Sequence, residues 1–380
     1  MVAPCGVREE HSALPISFHA LASRPLDEEL MEARSDRIAR LEAKVDRAFP
    51  NVIAARALSS STLERLRQLL DGQDVEDTSI VVFGSFARGE YTPGSDIDWT
   101  LLVDGRAHDE HFQRALAITH ILADNKFQPP SPFGVFDNVS FSHPLLHLIG
   151  GHDDTNRNTT QRILLLLESL AVCRSEAHER VIELVLHRYV SDDRGLLFSK
   201  RNPLVPRFLL NDIIRYWRTI TVDFVSKQRW KGGWALRNVK LRMSRKLLFA
   251  SGMVACFALE LFGKDERWRG ENGVDPARVV EFVRQRLRLS PLEQMCDVLL
   301  RPSVSRETAL QIIESYDTFM GILTDDEKRR HLSDLPLDAL GTDALFKEAT
   351  SLTYTFQTGL DSVFFEDEEI GALVRRFGVF

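Results

Sequence analysis

Two apolar runs joined by a glycine-rich connection constrain the fold more than any other feature of the chain. The first run, at 79–83 (SIVVF), contains β-branched residues and is bounded by turn residues, which predicts a buried strand. It ends in Gly-Ser, and ten residues later a second predicted strand begins at 96–103 (DIDWTLLV). A helical pattern at 108–123 and a third predicted strand at 134–141 follow. This order of elements indicates a small α/β unit with a mixed sheet.

The second predicted strand begins with two carboxylates. Because successive side chains of a strand point to opposite faces, we expect Asp96 and Asp98 to share one face. Two carboxylates so close repel each other unless a cation lies between them, and hard divalent ions such as Mg²⁺ bind both carboxylates and substrate phosphates. The backbone N–H groups of Gly84-Ser85 and the Ser85 hydroxyl are suited to hold a triphosphate. The pattern therefore predicts metal-assisted phosphoryl transfer.

This stretch resembles the signature of the DNA polymerase β-type nucleotidyltransferase superfamily, which is an apolar residue, Gly-Ser, a short spacer and then acid–apolar–acid. The chain has FGSFARGE at 83–90 and SDID at 95–98, a form similar to the minimal nucleotidyltransferases and to protein uridylyl- and adenylyltransferases. The resemblance covers residues 75–145. It implies an NTP substrate, ATP first, and a pair of Mg²⁺ ions, with Mn²⁺ as an alternative, held by Asp96, Asp98 and a third acid.

The family places its third acid on a later strand, where it binds one metal and can accept a proton from the acceptor. Asp137, midway along the third predicted strand, is the first candidate, although Asp137-Asn138 is also typical of a hairpin turn. The alternatives are Asp153, Asp154 and Glu168. In the loop between the two motif halves, Arg88 is expected either to bind a phosphate of the nucleotide or to pair with Glu90.

A basic segment follows the predicted sheet. Residues 200–246 contain thirteen Lys or Arg and two Asp, a local balance of 13 − 2 = +11. Such a concentration of charge attracts polyanions. The superfamily commonly uses a helical domain to close the nucleotide cleft and to supply a basic residue to the triphosphate, and by this similarity Lys240 is the first candidate and Arg237 the second. A solvated basic face is the alternative. The segment also contains tryptophans that either stack a base or belong to the core: Trp217, Trp230 and Trp234.

The domain organisation follows from these patterns. We expect an N-terminal arm at 1–26, the nucleotidyltransferase domain with leading helices at 27–172, and a helical domain that closes the cleft at 173–380. The fold class is α+β: a small mixed-sheet domain, flanked by an N-terminal helical segment and followed by a large all-helical domain. No strand is predicted after about residue 145, and the apolar stretch 247–259 predicts a buried core helix too short to span a bilayer.

Composition narrows the class of protein. A net charge of −7 argues against general coating of nucleic acid. The four cysteines are far apart and form no CxxC pair, which fits neither a zinc site nor a disulfide framework and suits a reducing compartment. The first residues lack the apolar stretch of a signal peptide. We therefore expect a cytoplasmic protein with no membrane partner.

Three functions stay open at this stage. The first is transfer of a nucleoside monophosphate from an NTP to an acceptor hydroxyl, with release of pyrophosphate. The acceptor could be a protein, an RNA end, a small molecule or a second nucleotide, which includes a cyclic-nucleotide signalling synthase. The second is a catalytically inactive nucleotide-sensing or regulatory protein on the same fold. The third is an RNA-binding module that uses the basic segment, which predicts a steep salt dependence.

Overall fold

A four-stranded mixed sheet forms the first half of the fold. The computed structural model describes residues 37–130, 134–198, 203–227, 232–263, 268–270 and 273–378. The sheet has the order β3-β2-β1-β4, from strands β1 (Thr78–Phe83), β2 (Trp99–Val103), β3 (Val139–Phe141) and β4 (Ser169–Ala171). β1 is antiparallel to β2 and β4, and β2 is parallel to β3. The predicted α+β class with a small mixed sheet is confirmed.

Helices make up most of the remaining described chain. Before and within the sheet they are α1 (37–45), α2 (Pro50–Leu70), α3 (Gly84–Ala87), α4 (Asp109–Asp124), α5 (Ser142–His147) and α6 (Asn156–Leu167). After the sheet they are α7 (Glu176–Ser191), α8 (Arg194–Leu197), α9 (Arg207–Lys227), α10 (Trp234–Lys240), α11 (Lys246–Phe262), α12 (Pro276–Leu287), α13 (Pro291–Leu299), α14 (Arg306–Thr324), α15 (Asp326–Asp334), α16 (Ala344–Asp361) and α17 (Glu368–Leu373). A π-helical turn, Leu241–Arg245, joins α10 to α11.

The expectation that no strand follows about residue 145 is wrong. The helix α6 ends at Leu167, and β4 then pairs with β1. A strand of three residues is too short to show a period in the sequence, and the helical pattern of α6 precedes it directly. The short strands β5 (Arg269–Gly270) and β6 (Gly273–Val274) also follow residue 145. Between α1 and α2 the chain turns at Asp46, whose φ is 53°, and α2 is continuous from Pro50 to Leu70.

The two faces of the sheet belong to different apolar clusters. One face, with Ile80, Val82 and Leu101, packs against α2 and α4. The other face, with Val81 and Leu102, joins a large core that extends through the helices to residue 374. The alternation along β1 and β2 is that of strands covered on both faces. One core therefore connects the sheet to the helical part of the chain.

The N-terminal helices are fixed to the C-terminal ones by buried polar contacts. The ammonium group of Lys44 donates hydrogen bonds to the carbonyl oxygens of Leu299, Arg301 and Val304 at 2.6, 3.1 and 2.8 Å. Asp317 of α14 accepts a hydrogen bond from the N–H of Val52 at 2.9 Å. The leading helices thus pack on the helical part as well as on the sheet. The arm predicted at 1–26 lies outside the described residues, and the boundary at 172 stays a prediction.

The longest apolar stretch forms the centre of the core. Residues 247–259 lie within α11, where nearly every side chain is buried, so the predicted core helix is confirmed. Among the described residues, no helix combines the length and the apolarity needed to cross a membrane. Cys256 and Cys296 are buried free thiols, and Cys173 is a half-buried one. Burial raises the pKa of each of these thiols, which disfavours the reactive thiolate.

Candidate nucleotide and metal site

The phosphate cradle predicted at the end of β1 is a sharp turn. Gly84 has a φ of 69°, in the left-handed region that other residues adopt only with strain, and α3 begins there. A Cβ atom at this position would lie 3.5 Å from Oδ2 of Asp98. The backbone of Gly84 and the carboxylate of Asp98 are therefore neighbours, and Ser85 follows as a half-buried residue.

The two aspartates lie immediately before β2 in extended backbone. Asp96 is exposed, Ile97 is buried and Asp98 is half-buried, so exposure alternates along this segment. The carbonyl oxygen of Asp98 accepts a hydrogen bond from the N–H of Phe83 at 2.9 Å, which extends the pairing with β1. Since Ile97 and Trp99 pack in the cluster under α2 and α4, the two carboxylates project towards the opposite side, where the helical core lies.

Lys240, the last residue of α10, brings positive charge next to Asp96. Its side chain is half-buried, and among the described residues its ammonium group has no hydrogen bond or ion pair. The pKa of this amine is lowered to about 8, mainly because of burial, and Asp96 opposes the shift. The other causes of the lowered pKa are three neighbouring guanidinium groups, those of Arg329, Arg245 and Arg88. The amine therefore lies in a cluster of cations that faces one aspartate.

Arg329 of α15 reaches the loop that precedes Asp96. Its Nη1 donates hydrogen bonds to Oγ1 of Thr92 at 2.8 Å and to Oγ of Ser95 at 3.5 Å. A Cβ on Gly94 would lie 3.2 Å from its Cζ. Burial lowers the pKa of Arg329, and the nearby Asp96 opposes that change. The sequence analysis missed this residue because it lies 237 positions after Thr92, within a run of similar charged residues.

The described residues do not bring a third carboxylate to the pair. No group of three or more His, Cys, Asp or Glu side chains within them is arranged to hold a metal ion. Asp137 lies just before β3, where its carbonyl oxygen accepts a hydrogen bond from Oγ1 of Thr100 at 2.5 Å. Its carboxylate pairs at 2.7 Å with Arg157, and both side chains are more than half exposed. Asp137 therefore lies just before the strand that pairs with β2, but its carboxylate binds Arg157.

Two of the alternative acids have structural partners. Asp154 is buried in an ion pair with Arg162 at 2.9 Å, and the same guanidinium binds Asp212 at 2.8 Å. Glu168 is also buried in ion pairs. Both carboxylates neutralise buried arginines, which disfavours either as the third metal ligand, because a metal ion would compete with these ion pairs. Asp153 is an exposed residue of the loop before α6.

Arg88 belongs to a buried charge network. Its Nε donates a hydrogen bond to Oε2 of Glu90 at 2.7 Å, and its Nη1 donates to Glu168. The second oxygen of Glu168 accepts from Arg245 at 2.5 Å, and Oε1 of Glu90 accepts from the hydroxyl of Tyr316 at 2.7 Å. Burial raises the pKa of Glu168, but the two guanidinium groups outweigh it and the pKa is lowered overall. The structure thus places Arg88 in the pairing role and not at a phosphate.

Arg237 packs against an aromatic ring of α9. It lies one helical turn before Lys240, and its guanidinium packs 5.7 Å from the ring centroid of Phe224 on α9. Burial lowers the pKa of Arg237, and the carboxylate of Asp223 on α9 opposes the change. Of the two basic candidates, only Lys240 is therefore next to the motif.

Part of the basic segment at 200–246 is used in contacts within the protein. Carboxylates pair with Arg207, Arg215, Lys227 and Arg245. Trp217 stacks on Phe249, and Trp234 contacts Phe346. Trp230 lies outside the described residues. Four basic side chains and two tryptophans of the described part of the segment are therefore engaged in contacts within the protein.

A comparison with known families agrees with this geometry. Residues 60–130 match the family model of the nucleotidyltransferase domain, a stretch that contains β1, the turn at Gly84, both aspartates and α4. Domains of this family transfer a nucleoside monophosphate from an NTP and generally use divalent metal ions. The match covers less than a fifth of the chain. Within that stretch the predicted resemblance is confirmed: residues 60–130 are similar to a nucleotidyltransferase domain, which is consistent with the DNA polymerase β-type superfamily.

Proposed function

We propose that the protein transfers a nucleoside monophosphate from an NTP, ATP first, to an acceptor hydroxyl and releases pyrophosphate. The observation that carries the proposal is the placement of Asp96 and Asp98 on one side of the chain, against the glycine turn and facing a cationic cluster. Carboxylates, a close approach of backbone and an amine without a partner are the groups that a metal–triphosphate complex needs.

Two of the carboxylate ligands that a divalent metal ion requires are present at this site. Asp96 and Asp98 supply hard oxygen ligands, and Gly84 leaves space beside Oδ2 of Asp98 that a side chain would restrict. When bound, Mg²⁺ ions would neutralise phosphate charge and make the acceptor hydroxyl more acidic. The preference of Mg²⁺ for oxygen ligands, and for keeping several waters, favours it here, and Mn²⁺ has the same ligand preference.

The chain's own groups would orient the triphosphate. Gly84-Ser85 would hold phosphate oxygens through backbone N–H groups and the hydroxyl of Ser85. Lys240 would neutralise charge on the leaving pyrophosphate, and the phosphate would raise the pKa of the amine because an anion favours the cationic form. The absence of a partner for this amine within the described residues supports the assignment.

Asp137 remains our proposed third ligand. It immediately precedes β3, the strand parallel to β2, and its carbonyl oxygen accepts a hydrogen bond from Thr100, which is two residues after Asp98. Its pairing with Arg157 is an exposed one, and exposed ion pairs contribute little to stability. Turning the carboxylate of Asp137 towards the metal therefore costs little free energy. The acceptor in this proposal is a protein, an RNA end or a second nucleotide.

The test is transfer of label from each α-³²P-NTP in the presence of Mg²⁺ and cell lysate. We expect the wild-type chain to label an acceptor and Asp96→Ala plus Asp98→Ala to lose the transfer. Asp137→Asn should lower the rate at least tenfold, whereas Asp124→Asn, at an exposed position at the end of α4, is the matched control and should leave the rate unchanged. Equal transfer by the wild type and the double variant contradicts the proposal.

A nucleotide-sensing protein without turnover is the second candidate. It is favoured by the lack of an assembled third carboxylate within the described ranges and by the pairing of Asp137 with Arg157. Equilibrium binding of a labelled NTP separates the two functions. Binding that depends on Lys240 and Asp98, together with no transfer to any acceptor, would support the sensor.

A further inference from the structure

We propose that Arg329 is a positioning residue: it holds the turn Thr92–Ser95 from α15, and through that turn it sets the place of the Asp96 carboxylate. The inference rests on the proposed function, in which Asp96 binds a metal ion. It adds a residue from the far end of the chain to the determinants of that site.

The turn before Asp96 is a compact unit of buried polar groups. Thr92 and Ser95 are 1% and 5% exposed, and their hydroxyl oxygens are 2.9 Å apart. The N–H of Ser95 donates to the carbonyl oxygen of Thr92 at 2.8 Å, which closes the turn. Each hydroxyl has one proton and two acceptor lone pairs, so the pair needs a further donor. Arg329 supplies it through Nη1 to both oxygens.

Asp96 follows this turn directly, so any movement of Ser95 moves the carboxylate. A buried hydroxyl that loses its charged donor is left with an unsatisfied acceptor, and the turn would rearrange to reach water. Gly94 makes the fit close, since only the absence of a Cβ lets the guanidinium approach to this distance. The guanidinium and the turn therefore form one unit.

The helix that carries Arg329 is itself fixed at both ends. Its N-cap, Asp325, accepts hydrogen bonds from the N–H groups of Glu327 and Lys328. Near its C-terminus, Nε2 of His331 lies 2.6 Å from Oδ2 of Asp343, the N-cap of α16. A side chain on such a support can hold a loop in one geometry.

If Arg329 acted through its charge alone, its removal would change metal binding in the opposite direction. A cation beside Asp96 repels a divalent ion, so removing it would tighten metal binding if Arg329 acted only through its charge. If Arg329 acts by positioning, removing it weakens metal binding, as is common when the partners of a metal ligand are lost. The sign of the change therefore distinguishes the two.

The experiment is titration of the full chain with Mn²⁺, with the free ion measured by electron paramagnetic resonance and no nucleotide present. We expect Arg329→Gln and Thr92→Val each to weaken Mn²⁺ binding by about tenfold. The double variant should be no weaker than either single one, because both changes remove the same interaction. Arg330→Gln is the control for charge and should not change Mn²⁺ binding. Arg330 is an exposed neighbour, and within the described residues its side chain donates a hydrogen bond to a carbonyl oxygen of its own helix.

Tighter or unchanged Mn²⁺ binding in Arg329→Gln overturns the inference, as does additivity of the two changes. Should Arg329→Gln fail to fold, Thr92→Val still decides, because it keeps the shape of the side chain and removes only the hydroxyl. Failure of the proposed function has a different signature: Asp96→Asn would then bind Mn²⁺ as tightly as the wild-type chain. Thermal unfolding of each variant checks that the folded state is intact.

Discussion

At the scale of single residues, the site depends on a backbone conformation that only glycine adopts without strain. The turn at Gly84, with its φ of 69°, brings backbone next to the carboxylate of Asp98, so a Cβ added there would be in van der Waals contact with Oδ2 of Asp98. Gly72 has a similar φ of 74°, but no atom lies within 4 Å of the position of its Cβ. The chain therefore offers a matched pair of positions for separating backbone strain from crowding of the site.

Gly84→Ala and Gly72→Ala should each cost about 1–2 kcal/mol of unfolding free energy, because both force alanine into the left-handed region. Only Gly84→Ala should also weaken Mn²⁺ binding and nucleotidyl transfer, since of these two positions only Gly84 places the added methyl group against Asp98, the proposed metal ligand. Chemical denaturation and the Mn²⁺ titration measure the two effects. Equal metal binding in both variants would show that the close approach to Asp98 has no role.

His178 makes stability depend on pH. Burial lowers the pKa of its imidazole to about 4, and Nε2 of the ring lies 2.7 Å from Oγ of Ser169. The backbone N–H of His178 donates a hydrogen bond to Oγ of Ser79. Because the folded-state pKa is below the unfolded value of about 6.5, the unfolded chain takes up the proton first. The stabilisation is therefore complete above about pH 6.5 and is lost as the pH falls towards 4, a change of roughly 3 kcal/mol.

Denaturation of His178→Gln between pH 7 and pH 4 tests this effect. Glutamine keeps a hydrogen-bonding group and does not titrate, so the wild-type chain should lose more stability than the variant over this range. His120→Gln, at an exposed position, is the control and should follow the wild-type profile. Parallel curves for the wild type and His178→Gln would rule out the proposed burial of a neutral imidazole.

At the scale of elements, the loop between Gly84 and Asp96 is fixed to helices that come much later in the chain. Its first part is held by the pairing of Arg88 with Glu90 and Glu168, and by α14 through Tyr316. The charges involved are buried, and each carboxylate has at least two donors. Breaking one contact leaves a buried charge with fewer partners, which is costly.

Tyr316→Phe should lower the unfolding free energy by about 1.5–3 kcal/mol, because Glu90 would lose a buried hydrogen bond to a charged group. Tyr354→Phe is the matched control: Tyr354 is 61% exposed, and its ring would still lie under Arg242. That variant should change stability by less than about 0.5 kcal/mol. A similar loss in both variants, measured by urea denaturation, would contradict the role of the buried network.

The sequence predicts the elements whose pattern is local and misses the contacts that are not. β1, α4 and α11 have clear apolar periods, and the motif fixes the turn and both aspartates by spacing alone. β4 is hidden in a helical pattern, and Arg329 has no local signal, because its role depends on packing between distant segments. The third acid lies between these cases, since spacing places Asp137 near the site but cannot show its pairing with Arg157.

At the scale of the whole molecule, the large core includes side chains from α1 to the C-terminal helices. Lys44 connects the same two regions through three carbonyl oxygens, and burial lowers its pKa. A chain with one continuous core is expected to unfold cooperatively, with no transition of the sheet alone.

Calorimetry and tryptophan fluorescence should therefore give one coincident transition. Lys44→Met keeps the apolar stem and removes the ammonium group, so it should lower the midpoint of that transition and cost about 2 kcal/mol without creating a second one. Lys347→Met, at an exposed position, should have little effect. A separate early transition in the Lys44 variant would show that the two regions fold independently.

The face of the sheet that bears Val81, Phe83 and Leu102 has a practical consequence for protein engineering. These side chains are 0%, 3% and 0% exposed because they lie in the large core, where α7, the helix that follows β4, contacts β1 and β2. A fragment that ends after β4 would keep the glycine turn and both aspartates but would expose the apolar face of the sheet to water. We expect such a fragment to aggregate. Transfer of this site to another protein would therefore require the covering helices as well as the sheet.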